Sequence, residues 1–429
     1  MGRASGIACS GVAPCPSWRP SPSACRSVAA SPAKMMTLGV GWFGFEIFWA
    51  FHAGPLPLFL RDFTDSKFTI SLVLSLAGLA GCVVPPAVGY LSDRSSTRWG
   101  RRRPYILAGA FGVMICVLIL PRIGTFGLVA LLSGFMYVLF RTAETTFLAL
   151  LPDITPTEQR STATGVMNLV GGVGLIACFV VGAVFWDDHP RLVFVIAALG
   201  CFVFMSISVA LIEEPKSVHE SAPSAVGLKA YLRSVTREVN VMKFLAAQFS
   251  WWLAFWMAST FAVLFATQEL GVPEGRSVLV PMVFAIVAAA FMVPMGLLGD
   301  RLQRKRVLSW VLASWVVVQI LVAFSQNLTH ALLTFSLCAI PYAGIMAVGY
   351  AFLFDLIPKQ RTAEFVGIGL VSMASGQICG PLIGGMVIDS FGYRWLFPCA
   401  AVFLLIGLIL LQLVRTPAGP AEAADSPSD

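Results

Sequence analysis

Residues 89–104 read Gly89-Tyr-Leu-Ser-Asp93-Arg94-Ser-Ser-Thr-Arg-Trp-Gly100-Arg-Arg-Arg-Pro104, a basic segment between the apolar stretches 70–91 and 104–121. Each stretch has about the ~20 residues that an α-helix needs to cross a hydrocarbon core of ~30 Å. A helix satisfies its backbone hydrogen bonds within its own segment, as lipid requires. The basic segment is therefore predicted to be a short loop between two transmembrane helices.

Apolar stretches of this length recur along the whole chain. The chain is 57% hydrophobic and 12% charged, whereas soluble domains have about 45–50% apolar and roughly 25% charged residues. The mean hydropathy of +0.82 predicts that lipid covers most of the surface. These values exclude a soluble protein and predict an all-α integral membrane protein with twelve transmembrane helices. The predicted helices cover 36–60, 70–91, 104–121, 125–148, 162–185, 191–212, 243–267, 277–299, 306–325, 330–353, 363–388 and 394–414.

The basic residues are distributed unevenly between the two sides of this arrangement. Of the 29 Lys and Arg residues, 22 fall in the tails and in the loops on the side of the N-terminus, and six in the remaining loops. Loops rich in Lys and Arg stay in the cytoplasm. We therefore expect both termini to be cytoplasmic, in a plasma membrane or a bacterial inner membrane. The net charge of +7 is explained by topology, and nucleic acid is not an expected partner.

The two halves of the chain carry similar motifs in the same order. Ala149-Leu-Leu-Pro-Asp153 after helix 4 recurs 202 residues later as Ala351-Phe-Leu-Phe-Asp355 after helix 10. Three glycines of helix 5 recur in helix 11 at the same distance. The repeat predicts two pseudo-symmetric halves of six helices. Transporters built from such halves hold the substrate between them near the middle of the membrane.

The segments that flank the two halves differ from them in composition. Residues 1–34 combine Pro, Ser, Cys and Arg without an acidic residue, and are predicted to be a disordered or targeting-like tail. Residues 416–429, rich in Ala, Pro and Asp, are predicted to be disordered. The N-terminal half is assigned to 35–212, the cytoplasmic central loop to 213–240 and the C-terminal half to 241–415.

The basic segment 89–104 has a counterpart in the second half, because a Gly-x-x-x-Asp-Arg unit ends both helix 2 and helix 8. The segment resembles the loop 2–3 signature of the major facilitator superfamily and, in its extended form, that of sucrose/proton symporters and glycoside–pentoside–hexuronide symporters. The resemblance implies the major facilitator fold, a monomer and a cytoplasmic gate. The glycines are expected to let neighbouring helices approach closely. In the alternative interpretation, the basic residues of these loops only fix the orientation of the helices in the membrane. The gating residues are Gly89, Asp93, Arg94, Arg101, Gly296, Asp300 and Arg301.

Three charged residues lie in the interior of predicted helices, away from the helix ends, where charge is costly and marks functional candidates. They are Glu46 in helix 1 and Arg141 and Glu144 in helix 4. Glu46 and Arg141 differ in depth by only ~6 Å at 1.5 Å per residue. Desolvation favours a protonated carboxyl group and a neighbouring Arg opposes this, so we expect the three residues to couple transport to protons. The alternatives are a static ion pair between helices 1 and 4, or an Arg141–Glu144 pair at i+3.

Aromatic and amide side chains of helices 1 and 7 are the substrate-binding candidates. Trp42 and Trp49 lie on the face of Glu46, and helix 7 offers Gln248, Trp252 and Trp256. Indole faces stack on sugar rings, while amides and carboxylates hydrogen-bond their hydroxyls. We therefore expect a sugar or related small hydroxylated solute, with protons as coupling ion and membrane lipid around the protein. A belt of interfacial aromatics is the alternative interpretation.

Two features keep other functions open. Sucrose transporters carry two arginines shortly before the Ala149–Asp153 motif, where this chain has Glu144 and Leu148, so sucrose itself is in doubt. Glycines of helix 11 match the antiporter motif of drug/proton exporters, which makes drug or metabolite efflux the alternative function. A transporter-like regulator is a third class. No catalytic or metal-ligating constellation and no Gly-x4-Gly-Lys-Ser/Thr loop is found, so neither an enzyme, a metal site nor a cofactor is expected.

Overall fold

The structure, a computed structural model, describes residues 32–95, 97, 99–155, 159–212, 238–357 and 362–415. Within these ranges, twelve helices are long and apolar enough to cross a membrane, which confirms the predicted fold class. The predictions for the two tails and for most of the central loop lie outside the described residues. The helices are α1 (Pro32–Ala53), α2 (Lys67–Arg94), α3 (Arg103–Ile119), α4 (Phe126–Ile154), α5 (Arg160–Phe185), α6 (Pro190–Leu211), α7 (Val239–Ser259), α8 (Leu279–Arg301), α9 (Arg304–Val322), α10 (Leu328–Leu356), α11 (Thr362–Phe391) and α12 (Tyr393–Gln412).

Local sequence signals explain where several of these helices begin. The Oγ atom of Ser66 accepts a hydrogen bond from the amide of Thr69 at 3.2 Å and thereby caps α2. The side chain of Asn327 caps α10 in the same way. A proline directly after α1 starts the short helix Pro55–Arg61, which completes the first crossing. The predicted helices begin or end a few residues short of these caps because apolar composition does not record polar cap residues.

The end of the seventh crossing differs from the prediction of one helix over 243–267. The regular helix α7 stops at Ser259, and a π-turn over Phe265–Glu269 continues the crossing. Gly271 then turns the chain with a φ of +65°, a conformation that glycine adopts without strain. A four-residue helix, Glu274–Ser277, follows and leads into α8. This irregular segment places Glu274 between the ends of other helices.

The helices of the two halves pack in the same pattern. In the N-terminal half (α1–α6), α1 packs on α5 and α6, α4 packs on α2 and α3, and α3 packs on α6. The C-terminal half (α7–α12) repeats each of these contacts six helices later. Two seams join the halves, α2 on α11 and α5 on α8, of which the α2–α11 seam is the more extensive.

The α2–α11 seam depends on glycine and on one carboxylate. A Cβ atom on Gly385 would lie 2.7 Å from the carbonyl oxygen of Lys67, and one on Gly78 would lie 2.9 Å from Cγ1 of Ile378. Such distances leave room for no side chain, so the two backbones meet directly. Asp389 of α11 accepts hydrogen bonds from the amide of Lys67 at 2.7 Å and from the next amide at 3.0 Å. The seam therefore closes tightly at the start of α2.

A polar cluster joins the halves on the same side of the molecule. Glu274 forms an ion pair with Arg61 and accepts a hydrogen bond from the indole of Trp186 at 2.7 Å. Asp187 accepts a hydrogen bond from the amide of Gly275 at 2.8 Å. These five residues form the Glu274 latch, and the face that holds them is called the Glu274 face. The latch ties the ends of the first and fifth crossings to the segment before α8.

Candidate functional site

The charged groups of α1 and α4 meet around one arginine. The Nη1 atom of Arg141 lies 2.7 Å from Oε2 of Glu144, and the indole of Trp49 donates to the other Glu144 oxygen at 3.1 Å. The guanidinium carbon lies 4.9 Å from the centroid of the Trp49 ring, a cation–π contact. The expected pair between Glu46 and Arg141 is therefore wrong, and the i+3 alternative is the pair that forms. Arg141 and Glu144 share one face of α4, whereas equal depth does not place Glu46 on the facing side of α1.

Arg141 also reaches beyond its own helix. Its Nε and Nη2 atoms donate to the carbonyl oxygen of Ala77 in α2, both at 3.3 Å. A Cβ atom on Gly81 would lie 3.1 Å from the guanidinium, so this glycine makes room for it. Nη2 also donates to Oε1 of Gln377 at 2.9 Å. Gln377 belongs to α11, so Arg141 links the two halves of the molecule at the depth of its ion pair with Glu144.

Glu46 lies on the other side of α1, against α5. The absent side chain of Gly171 leaves the space that Cγ of Glu46 and the indole of Trp42 occupy. Glu46 is half-buried. Its position between two helices of the N-terminal half separates it from the ion pair of α4. It remains a candidate proton carrier with an environment of its own.

The aromatic candidates of α1 and α7 face each other between the halves. The ring centroids of Trp49 and Trp256 lie 6.2 Å apart. Trp49 also contacts Phe140 edge-on at 5.4 Å. Trp42 lies about two turns away from Trp49 along α1 and stacks on Phe147 with ring centroids 6.4 Å apart. The structure thus brings Trp49 and Trp256 together and places Trp42 within the N-terminal half.

Helix α7 presents polar atoms that lack hydrogen-bond partners among the described residues. They include Oε1 of Gln248 and the indole nitrogens of Trp252 and Trp256, beside the indole nitrogen of Trp251 and Oγ of Ser259. Gln248 and Trp252 are only 3% and 2% exposed. An unpaired buried polar group costs about 1–3 kcal/mol. These atoms are therefore available to hydrogen-bond a solute between the halves.

Further aromatic residues surround Trp252 that sequence reasoning missed. Phe255 stacks on Tyr342 with ring centroids 4.8 Å apart, and Phe284 and Trp315 pack on Tyr342 at 5.2 and 6.2 Å. They come from α7, α8, α9 and α10, each of which also holds other aromatic residues. No spacing within the sequence marks them, because the cluster forms only when four helices pack together.

The gating candidates at the ends of α2 and α8 form a different arrangement from the expected one. A Cβ atom on Gly89 would meet nothing within 4 Å, and one on Gly296 would meet only a methyl group at 3.9 Å. The close approach of helices expected at these glycines is therefore not seen among the described residues in this conformation, in which the seams between the halves close on the opposite face, and it stays a prediction. Arg94 stacks on the ring of Tyr90 at 3.8 Å. Arg301 is exposed, and the side chain of Asp93 lies outside the described residues.

The basic loops pair with the carboxylates of the repeated motif. Arg101 and Arg102 lie 3.1 and 3.2 Å from Asp153, in the last turn of α4. In the second half, Arg304 lies 2.7 Å from Asp355, in the last turn of α10, and 3.7 Å from Asp300. The equal spacing of Asp153 and Asp355 in the sequence was the signal for this symmetry. Each of these ion pairs stays within one half of the molecule.

A family model described as Major Facilitator Superfamily matches residues 38–292 and 263–428. Over 192 residues the chain is 29% identical to the sucrose transport protein SUC4 of Arabidopsis thaliana, a match to 39% of this chain and 38% of that protein. It is 22% identical over 373 residues to the uncharacterized transporter YhjO of Bacillus subtilis (strain 168), covering 84% of this chain and 88% of YhjO. The multidrug resistance protein MdtG of Proteus mirabilis (strain HI4320) matches at 27% identity over 37% of this chain and 41% of its own.

A solved structure supports the same architecture. It is the bacterial homolog to the human lysosomal transporter Spinster in an inward-facing and occupied conformation, with a TM-score of 0.74 at 15% identity. The likeness covers 90% of this chain and 98% of that chain. At this identity the likeness shows the fold alone.

Proposed function

Because the chain belongs to the Major Facilitator Superfamily, we propose that it moves a sugar or related small hydroxylated solute by proton-coupled alternating access. Membership makes the protein a multi-pass membrane transporter. The observation that carries the finer proposal is the meeting of Trp49 and Trp256 between the halves, next to the Arg141–Glu144 pair. Aromatic faces and an ionisable cluster at one place allow solute binding to affect proton binding.

The chemistry around these rings favours a neutral, hydroxylated solute. The charges of Arg141 and Glu144 cancel at 2.7 Å, so the cluster offers no net charge for an ionic substrate. Gln248 supplies an unpaired acceptor, and the indoles of Trp252 and Trp256 supply unpaired donors. A sugar hydroxyl both donates and accepts, and its ring stacks on indole. The similarity to SUC4 over part of the chain supports the same solute class.

Proton coupling is assigned to the two carboxylates near the cluster. Arg141 is paired with Glu144, which leaves Glu46 without an arginine partner among the described residues. A carboxyl group without a cationic partner holds a proton more readily than one that is paired with a guanidinium. We assign the proton to Glu46 and the switching of its surroundings to movement of Arg141 relative to α11.

The conformation and the topology complete the proposal. Both termini and the central loop face the cytoplasm, which places the Glu274 face outside. In this topology, the side that the latch and the α2–α11 seam close would be the outer side, and the conformation would be inward-facing. The outward-facing state requires that the contacts of Glu274, Gly385 and Asp389 across the seams be broken. Alternation between these two states carries the solute across.

Transport into liposomes tests the function directly. Purified protein is reconstituted, a pH gradient is imposed, and uptake of a panel of radiolabelled mono- and disaccharides is measured. We expect accumulation of at least one sugar that a protonophore abolishes. Accumulation that is unaffected by the protonophore would contradict proton coupling, and the absence of any sugar uptake would contradict the solute class.

Proton-driven efflux of a drug or metabolite is the second candidate, favoured by the similarity to MdtG. The glycines of α11 that suggested it have a packing role here. Cβ atoms on Gly376 and Gly380 would lie 2.8 and 2.6 Å from backbone atoms of Leu253 in α7. Counterflow of a fluorescent cation against an inward proton gradient would support efflux, and its absence beside sugar uptake would exclude it.

A further inference from the structure

Gln377 is a buried polar residue of α11 to which the sequence assigned no role. Its side chain is 3% exposed, and its Oε1 atom accepts the hydrogen bond from Nη2 of Arg141 at 2.9 Å. Its Nε2 atom is buried without a partner among the described residues. A hydrogen bond to a charged donor is roughly twice as strong as one between neutral groups. The hydrogen bond from Arg141 is therefore the contact that holds the amide group of Gln377 in place.

The backbone around Gln377 holds its side chain in place. A Cβ atom on Gly78 of α2 would lie 3.0 Å from the carbonyl carbon of Gln377. On the other side, a Cβ atom on the neighbouring Gly376 would lie 2.8 Å from Cβ of Trp252 in α7. Residue 377 is thus fixed between α2 and α7. Movement of α11 away from α2 carries the amide away with it.

The partners of Arg141 divide by half of the molecule. Glu144 and the carbonyl group of Ala77 belong to the N-terminal half and travel with the arginine. Gln377 belongs to the C-terminal half. When the outer ends of α2 and α11 separate, Arg141 keeps the first two partners and loses the third. The Arg141–Gln377 bond therefore exists in only one of the two states of an alternating-access cycle.

We propose that Gln377 is a positioning residue that ties Arg141 to the C-terminal half and thereby stabilises the state with a closed Glu274 face. The inference deepens the proposed alternating-access function and rests on it. Loss of the bond should shift the balance toward the open Glu274 face. A hydrogen bond to a charged group corresponds to a change of about ten-fold in such an equilibrium.

Two substitutions at this position separate a positional role from general packing. Gln377→Leu keeps the bulk and removes the acceptor, so it favours opening. Gln377→Glu keeps the acceptor, as carboxylate or as carboxylic acid, so it keeps the Glu274 face closed. A residue that serves only packing would respond in the same direction to both changes. Gln377→Asn is a polar variant too short to reach Arg141, and it should behave like Gln377→Leu.

Accessibility of a reporter cysteine on the other seam measures the balance. Val278 is fully buried, and Cβ atoms on Gly54 and Gly182 of the N-terminal half would lie 3.3 and 3.5 Å from its methyl groups. Val278→Cys becomes exposed when the Glu274 face opens. A membrane-impermeant maleimide is added to intact cells, and its rate of reaction above the background of native cysteines is recorded. Size-exclusion profiles in detergent confirm that each variant is folded.

Relative to the reporter alone, we expect Gln377→Leu and Gln377→Asn to raise the labelling rate about ten-fold, and Gln377→Glu to leave it equal or lower. Gln319→Leu is the matched control, because Gln319 is also buried but contacts Cys338 within the C-terminal half. The proposed role of Gln377 would be overturned if the labelling rate stayed unchanged in Gln377→Leu and Gln377→Asn. It would also be overturned if Gln377→Glu raised the labelling rate as much as Gln377→Leu does. The assay needs no substrate, so it decides this question even if sugar uptake fails and the proposed solute class is wrong.

Discussion

Arg141 is the residue on which several functions converge. Its guanidinium contacts Glu144, the Trp49 ring and Gln377 at the same time. Neutralising it strands a carboxylate that is only 7% exposed. The ion pair with Glu144 therefore lies within α4, whereas the hydrogen bond to Gln377 is the contact that we propose to depend on the state of the transporter.

We expect Glu46→Gln to abolish gradient-driven accumulation while substrate exchange continues. The amide keeps the shape and part of the hydrogen bonding of the carboxyl group but carries no proton. Accumulation and counterflow of the same radiolabelled sugar are compared in proteoliposomes. Gln319→Leu again serves as the control that leaves both rates unchanged. Accumulation at the wild-type level in the Glu46→Gln variant would contradict proton coupling through Glu46, and Glu144 or Asp355 would be the next candidate for the proton carrier.

Arg141→Ala should lower the free energy of unfolding by about 3–5 kcal/mol, because it leaves the Glu144 carboxylate buried and unpaired. The double variant Arg141→Leu, Glu144→Leu should recover most of this loss, since it removes both charges. Thermal unfolding in detergent, followed by tryptophan fluorescence, measures the difference. A double variant as unstable as the single one would mean that packing, and not charge, holds this part of α4.

The residues of this cluster and the Arg141–Glu144 pair could be predicted from sequence, whereas the side of α1 on which Glu46 lies could not. Residue counting gave the depth of Glu46 and Arg141, but depth does not give the side of a helix on which a residue lies. The i+3 spacing of Arg141 and Glu144 determines both their depth and their shared face of α4, and the alternative that pairs these two residues is confirmed. Gln377 is an amide in a glycine-rich helix, and only the contact with Arg141 reveals it.

At the scale of elements, each of the two basic loops pairs with the last turn of a helix, α4 in the first half and α10 in the second. Asp153 binds Arg101 and Arg102, and Asp355 binds Arg304. Half-exposed ion pairs of this kind contribute little to stability. Their position at the ends of α2, α3 and α4 makes them suited to adjusting the motion of whole helices.

Asp153→Asn should slow transport several-fold with little change in KM, because the residue acts on switching and does not contact the solute. Initial rates of sugar uptake over a range of concentrations separate the two parameters. Asp188→Asn, on the exposed loop before α6, is the matched control. A raised KM with an unchanged maximal rate would place Asp153 in the binding site instead.

The helices themselves were predicted well because a segment of about twenty apolar residues in lipid satisfies its backbone hydrogen bonds by forming an α-helix. The seventh crossing was the exception. Residues 260–267 are as apolar as the helix before them, yet they contain a break and a π-turn. Hydropathy measures what surrounds a segment and carries no information about its hydrogen-bond register. The close helix contact expected at Gly89 is also not seen among the described residues, since a sequence motif does not tell in which conformation its contacts form.

The whole molecule is closed on the Glu274 face, and its topology decides which compartment that face meets. We expect a cysteine introduced at Asp188 to react with an impermeant maleimide added to intact cells. A cysteine at Ser224, in the central loop, should react only after the cells are permeabilised. The reverse pattern would invert the orientation and make this an outward-facing state. Total reactive protein after permeabilisation is the control for expression.

Glu274→Ala should loosen the closed face, because it removes the partner of both Arg61 and Trp186. Partly exposed ion pairs contribute roughly 0.2–1 kcal/mol, so labelling of Val278→Cys should rise by about two- to five-fold. Arg61→Ala should have a similar effect, and the double variant should add little. Additive effects of the two changes would show that the two side chains act separately.

The direct backbone contact at Gly78 and Gly385 bears on leakage through the idle transporter. Atoms of the facing helix already lie within 3 Å of the place where a Cβ would be. A water molecule needs more space than this gap provides. A file of waters through the seam would carry protons down the gradient and waste it between cycles. We therefore expect these two glycines to keep the seam free of a continuous file of waters while the Glu274 face is closed.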